Sequence, residues 1–365
     1  MQFRIHTLSS ALVAAAAALG AGAPPDAQGP PPSEDAAVVR DEPEEEDGGS
    51  IGAGTSFRSL DNDAFTHSDD QYTHGLTFSY LSPYLESFED GPLPDGLGHV
   101  FDGLSLFADK PQRFVSHSFS QRLFTPGDLL DPNLIENDIP YSALLYLTMS
   151  VSAQDEDSLD SLSFDAGWTG PLALGEESQK FFHDLLDSKE PLGWDNQIEN
   201  EPLIGVRWEH RERLARFGRG RGFNGDLLAN TAVAVGNIQT RATLGATARA
   251  GLRVPDNFHI PAPFLADETI GLRPYTKKRP GFSLYGFASV SAEAIANAIY
   301  LDGNTFRDSH SVDYDRLVGR GSIGLVANVG ALFVTVSLEK ATIPYDNPRN
   351  ESSESYGRIG LTWDL

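Results

Sequence analysis

From about residue 51 onward, the chain alternates apolar and polar residues in short runs and contains no apolar stretch of twenty. Leu332, Val334, Val336 and Leu338 are apolar, whereas Thr335, Ser337 and Glu339 are polar. Ile204, Val206 and Trp208 alternate with Gly205, Arg207 and Glu209, and Leu162, Phe164, Ala166 and Trp168 with Ser161, Ser163, Asp165 and Gly167. A period of two gives a strand one apolar and one polar face. A soluble sandwich would show the same period. Three features favour a membrane barrel instead. The runs are roughly ten residues long, the length that crosses a bilayer at a tilt. Charges such as Asp165, Arg207 and Glu209 fall on the face that would look inward. The chain also ends in an alternating run, 359–365, whose last residue is apolar. Without a hydrophobic helix, only a closed barrel satisfies the backbone inside lipid.

Twelve strands are expected, near 53–60, 74–82, 113–124, 142–154, 158–168, 201–216, 223–236, 241–253, 282–298, 316–329, 331–342 and 355–365. An even number returns both chain ends to the periplasmic side. The connections 61–73, 125–141, 169–200, 237–240, 299–315 and 343–354 then face outward. Segments 83–112 and 254–281 are long for periplasmic turns, and 254–281 is where a miscount would hide. The expected class is thus an all-β, 12-stranded antiparallel transmembrane β-barrel with a short helix in an extracellular loop.

Ahead of the barrel, Arg4, an apolar run over 11–19 and the pair Ala21 and Ala23 read as a signal peptide over residues 1–23. Residues 24–50 are acidic and rich in Pro and Gly, a composition expected of a disordered linker. The barrel takes 51–365. There is no cysteine, so an exported fold stands without disulfides or Cys-ligated metal. A net charge of −25 argues against nucleic acid as a partner.

One stretch breaks the alternation. Residues 167–202 hold one short amphipathic helix with Gln179 and His183 four apart on one face. A histidine there can serve as a general base, since its pKa lies near neutrality. The first outward loop gathers Asp61, Asn62, Asp63, Asp69, Asp70, Tyr72, Thr73 and His74. Concentrated oxygen donors suit a hard cation such as Ca²⁺. Zinc fits less well, because His67 and His74 are the only nitrogen donors nearby. Turn chemistry alone can also produce such a cluster.

Several motifs carry a resemblance. Asn62-Asp63-x-Phe65, Asp69-x-x-Tyr72-Thr73-x-Gly75, Pro140-Tyr141, Gly170-Pro171, Gln179-x-x-x-His183, Gly193-Trp194-Asp195-Asn196-Gln197, Glu201-Pro202, Gly236-Asn237 and Leu301-x-x-Asn304-x-Phe306 recur in order. Over residues 53–365 they resemble the lipid A 3'-O-deacylases of the LpxR type. The resemblance implies a twelve-stranded outer-membrane barrel, a monomer, whose partner is lipid A, or lipopolysaccharide, in the outer leaflet. Its site lies between the barrel wall and a helix from an outer loop. It implies Ca²⁺ as cofactor, polarising an acyl ester while a histidine activates water. His183 corresponds to the base and Gln179 to its helical neighbour. Asn62, Asp63 and Thr73 correspond to the cation and oxyanion cluster, and Glu190 is the nearest counterpart of a further glutamate in it. The chain departs from the family at Asp61 for Glu, His74 for Asn and Ile139 for Arg.

Two other functions compete. A serine phospholipase would use Ser118 or Ser120 beside His117; there is no Gly-x-Ser-x-Gly elbow. A porin or structural barrel would have an open lumen. Trp168, Trp194, Trp208 and Trp363 are expected at membrane interfaces.

Overall fold

The alternating runs become strands close to their expected limits. The computed structural model describes residues 54–364 other than 63–71, 186–187, 219–221, 261–263 and 276–280; the side chains of Asn62 and Thr73 are likewise not described. The strands are β1 (Thr55–Asn62), β2 (Tyr72–Leu81), β3 (Gln112–Phe124), β4 (Ser142–Gln154), β5 (Ser158–Thr169) and β6 (Glu201–Phe217). They continue as β7 (Phe223–Gly236), β8 (Gln239–Leu252), β9 (Phe282–Ala298), β10 (Leu317–Val329), β11 (Leu332–Thr342) and β12 (Ser353–Asp364). Each pairs antiparallel with the next, and β12 closes the barrel on β1 through Thr55↔Asp364 to Asn62↔Gly357. The expected signal peptide and linker, together with Asp63, lie outside the described residues.

The two faces of the wall follow the alternation. Leu147, Ile204, Val235, Leu244, Ile323 and Leu325 point outward and are 60–64% exposed, a band fitted to acyl chains. Their neighbours Ser150, Ser163, Arg207, Glu209 and Thr247 point into the lumen and are buried. No described helix is long and apolar enough to cross a membrane, so crossing falls to the strands.

The lumen is filled. The described residues of the β8–β9 connection, 253–281, hold no further strand. It turns into the barrel, and Phe258, Ile260, Ile270 and Leu272 pack there on Phe57, Leu81, Phe114, Leu159 and Leu228. Farther along, Phe264 and Leu265 reach the cluster under the outward loops, among Tyr72, Phe124, Tyr300 and Tyr356. A segment without strand partners carries unpaired carbonyls, each costly if buried unmet. Inward arginines supply the donors. Arg211 donates to the carbonyls of Phe258 at 2.9 Å and Ile270 at 2.6 Å; Arg207 donates to Leu265 at 2.7 Å and Arg213 to Asn257 at 2.7 Å. Their charges are balanced inside the wall, as by Glu209 on Arg211 at 2.7 Å and Asp226 on Arg249 at 2.6 Å.

Segment 82–111 goes the other way. Its helix α1 (Leu97–Asp102) and flanking turns lie against the outer face of β3–β5, where Phe88, Phe101 and Phe107 bury against Val115, Val151 and Ala153. Two further helices, α2 (Gly175–Leu185) and α3 (Ile299–Asp302), belong to outward loops.

Candidate functional site

The outward end of β2 is bent by one extra residue. Relative to β3, the register slips between Tyr72 and His74, leaving Thr73 as the inserted residue of a β-bulge. The bulge lets two residues of one strand face opposite ways. Tyr72 turns into the lumen, where its hydroxyl donates to Asp61 Oδ2 at 2.7 Å. His74 continues the outward set of Phe78. It stands in register with Asn62 of β1, so the residues flanking the first loop meet at one corner of the wall.

The 170–200 excursion folds over that corner. Gly170 and Pro171 open a tight turn, after which α2 runs across the outer ends of β3 and β4. Its anchor is a polar residue on the outward face of β3. Gln121 Nε2 donates to the carbonyls of Ala173 at 2.7 Å and Leu174 at 3.2 Å, and its Oε1 accepts from Ser178 at 2.7 Å. Two glycines make the approach possible. A Cβ at Gly175 would lie 2.5 Å from both Ala143 and the Trp194 ring, and one at Gly193 would lie 2.4 Å from the Tyr141 ring. Tyr141 and Trp194 pack at 4.9 Å between centroids, over Leu123, Ala143 and Ala173. The Pro140-Tyr141 and Gly193-Trp194 motifs thus form one joint. Trp194 departs from the interface role expected of it: it is 2% exposed, buried beneath the loop.

The helix holds its two singled-out residues differently. Gln179 is buried, and its Oε1 accepts from Trp194 Nε1 at 2.7 Å, while its Nε2 has no partner among the described residues. His183 is half-buried, and its Nδ1 meets the Lys189 carbonyl. A carbonyl can only accept, so Nδ1 carries the proton, and in the neutral ring Nε2 keeps its lone pair. Glu190, one residue on, does not reach the imidazole. Its carboxylate sits 2.9 Å from Lys180 Nζ, which also binds Glu176 at 2.9 Å. Those two contacts, Glu176 first, raise the Lys180 pKa.

Contact between the helix and the β1–β2 corner runs through Phe182, whose ring lies 4.1 Å from that of His74. The structure therefore brings the helix of Gln179 and His183 onto the wall beside the ends of the strands carrying Asn62 and Thr73. The side chains of Asn62, Asp63 and Thr73 lie outside the described residues. Among the described residues, no three His, Asp or Glu side chains form a metal-holding group. His74 is one residue the motifs under-weighted: it is 2% exposed, and neither ring nitrogen has a partner among the described residues. Gln121 is another, and the sequence signal was present, an amide between Phe119 and Leu123 on the outward face of its strand.

The serine alternative finds no dyad. Ser118 and Ser120 face the lumen, bonded to Asp267 at 3.2 Å and Thr77 at 3.2 Å. His117 faces out, its Nε2 on the Pro92 carbonyl at 2.8 Å. Glu201, in turn, fastens an outward loop: Oε1 accepts from the Thr305 amide and Oε2 from the Phe306 amide, each at 3.0 Å.

Comparison with known proteins agrees with the fold. LpxR from Salmonella typhimurium matches with a TM-score of 0.68 at 19% identity, over 85% of this chain and 100% of that one, which establishes the same barrel. The β domain of the Bordetella autotransporter BrkA reaches a TM-score of only 0.41 at 9% identity, over 86% of this chain and 100% of that one, too little to carry an argument. No curated protein matches the chain. The family model described as outer membrane protein LpxR matches residues 20–365, and on that match, which spans nearly the whole sequence, the chain belongs to the LpxR family of outer membrane proteins.

Proposed function

We propose that the chain is an outer-membrane lipid A 3'-O-deacylase, cleaving the 3'-linked acyl ester with water activated by His183 and with Ca²⁺ as cofactor. The observation carrying this reading is the docking of α2 on the outer wall beside the ends of β1 and β2. A lipid in the outer leaflet would present its ester to that outer corner and not to the lumen. Oxygen donors at Asn62, Asp63 and Thr73 suit a hard cation, and the buried His74 nitrogens and Gln179 Nε2 leave polar edges for substrate or bound water. These residues fit the ion. When bound, Ca²⁺ supplies positive charge to the ester carbonyl as the oxyanion develops.

The chain's own groups do the rest. His183 Nε2 takes a proton from water as the hydroxide adds to the carbonyl carbon. The Lys189 carbonyl holds Nδ1–H, which fixes the ring and stabilises the imidazolium. The carbon–oxygen bond to the sugar then breaks, and the proton on Nε2 passes to the departing 3'-oxygen. The products are a free carboxylic acid and a 3'-hydroxyl. Trp194 and Gln121 hold the helix so that the imidazole keeps its place.

Replacing His183 by Ala should lower turnover by about 10²–10⁴-fold, the usual contribution of a general base. The measurement is mass spectrometry of lipid A from cells expressing each form. A wild-type mass shift from the Ala variant ends the proposal. A chelator should abolish hydrolysis by the intact enzyme, and Ca²⁺ should restore it.

A further inference from the structure

Two residues of the β1–β2 corner are clamped from the inside of the barrel. Asp61 precedes Asn62, and Tyr72 precedes Thr73. Asp61 is fully buried and holds four contacts. Arg358 Nε donates to its Oδ1 at 2.5 Å and Arg358 Nη2 to its Oδ2 at 2.9 Å; Arg122 Nη1 donates to Oδ2 at 3.2 Å, and the Tyr72 hydroxyl donates to the same oxygen at 2.7 Å. The same two arginines continue to a carboxylate of the lumen segment. Arg122 Nη2 donates to Glu268 Oε1 at 3.2 Å, and Arg358 Nη1 lies 3.6 Å from Glu268 Oε2. Ser59 of β1 donates to Glu268 Oε1 at 2.9 Å.

We propose that Glu268 is a positioning residue for the outer-wall site, acting through Arg122 and Arg358 on Asp61 and so on the strand ends that carry Asn62 and Thr73. The proposal rests on the deacylase reading above and names a residue of the lumen as part of its machinery. The physical case is one of geometry. A lone Asp61 could settle in several rotamers, but two guanidinium forks and a phenol leave one. The forks are themselves aimed by the carboxylate beyond them. Glu268 belongs to a segment fastened across the lumen, so the corner's position is tied to the barrel as a whole.

The neighbouring carboxylate supplies the control. Asp267 binds Ser116 at 2.6 Å, Ser150 at 2.7 Å and Ser118 at 3.2 Å, on β3 and β4, and makes none of the contacts to Asp61. Both acids fasten the segment, but only Glu268 reaches the corner. The experiment compares Glu268→Gln and Asp267→Asn in the full-length protein, refolded in detergent. It reads lipid A turnover, split into kcat and KM, and Ca²⁺ affinity by titration calorimetry. Glu268→Gln should weaken Ca²⁺ binding and lower kcat by roughly 10–100-fold, the scale set by a misplacement of about 1 Å. Asp267→Asn should change neither by more than about 3-fold, within the loosely coupled range for remote groups. Equal effects of the two variants, or no effect of Glu268→Gln, overturn the proposal. If Glu268→Gln does not fold, Ser59→Ala, which removes one bond to Glu268, must shift Ca²⁺ affinity in the same direction; unchanged affinity overturns it too. Wild-type protein that binds Ca²⁺ in a Glu268-dependent way yet leaves lipid A intact sinks the deacylase reading alone. Wild-type hydrolysis with an indifferent Glu268 sinks the positioning role alone.

Discussion

At the scale of the residue, the chain separates groups that one motif would lump together. Gln179 and His183 share a helical face, yet one carboxamide oxygen is committed to Trp194 and one imidazole nitrogen to Lys189. Their spacing was legible in the sequence, but these partners were not, because they come from a loop folding back on its own helix. Glu190 entered only as the nearest counterpart of a family glutamate, and its pairing with Lys180 was likewise not legible in the sequence. Trp194 carries the sharpest residue-scale prediction. Removing its ring leaves Gln179 without its indole donor and a hole beneath α2, a loss of about 3–5 kcal/mol for a buried aromatic. Trp194→Ala should expose the α2 loop to limited proteolysis and reduce turnover, while the barrel keeps its resistance to unfolding in SDS. Trp194→Phe should recover part of the packing without the hydrogen bond.

At the scale of the element, the outward face of β3 explains how a polar amide survives on a wall meant for lipid. Gln121 satisfies its amide nitrogen on the turn before α2 and its oxygen on Ser178 of α2, so the strand end is covered and not exposed to acyl chains. Gln121→Leu should loosen the helix and depress deacylation without altering barrel assembly, read as unchanged heat-modifiable migration on gels. The strands themselves were readable almost to the residue, since the period-2 pattern reports directly on the two faces of a wall. The connection 253–281 was not readable. It obeys no period, and its carbonyls are met by arginines that sequence inspection could only assign to an inner face. Arg211 serves two of those carbonyls at once. Arg211→Met would strand both and leave Glu209 unpaired. A lower melting temperature, by calorimetry in detergent, is the expected result, with each unmet buried group costing about 1–3 kcal/mol.

At the scale of the whole molecule, the segment packed into the lumen argues against a pore. Purified wild-type protein in planar bilayers should show conductance near the baseline, whereas a variant lacking residues 256–275 should conduct, provided it still closes. Steady, large currents from the wild type would contradict the packing of the 253–281 segment described above. The closure itself has a further consequence. Glu268 touches Ser59 on β1 and Arg358 on β12, the first and last strands, so the join between the chain's two ends is stapled from within. Parting the cylinder there would break those contacts as well as the strand pairing. On the deacylase reading, a lipid reaches the outer corner within the plane of the leaflet without any such parting, and encounter frequency depends on surface density and membrane fluidity instead of bulk concentration.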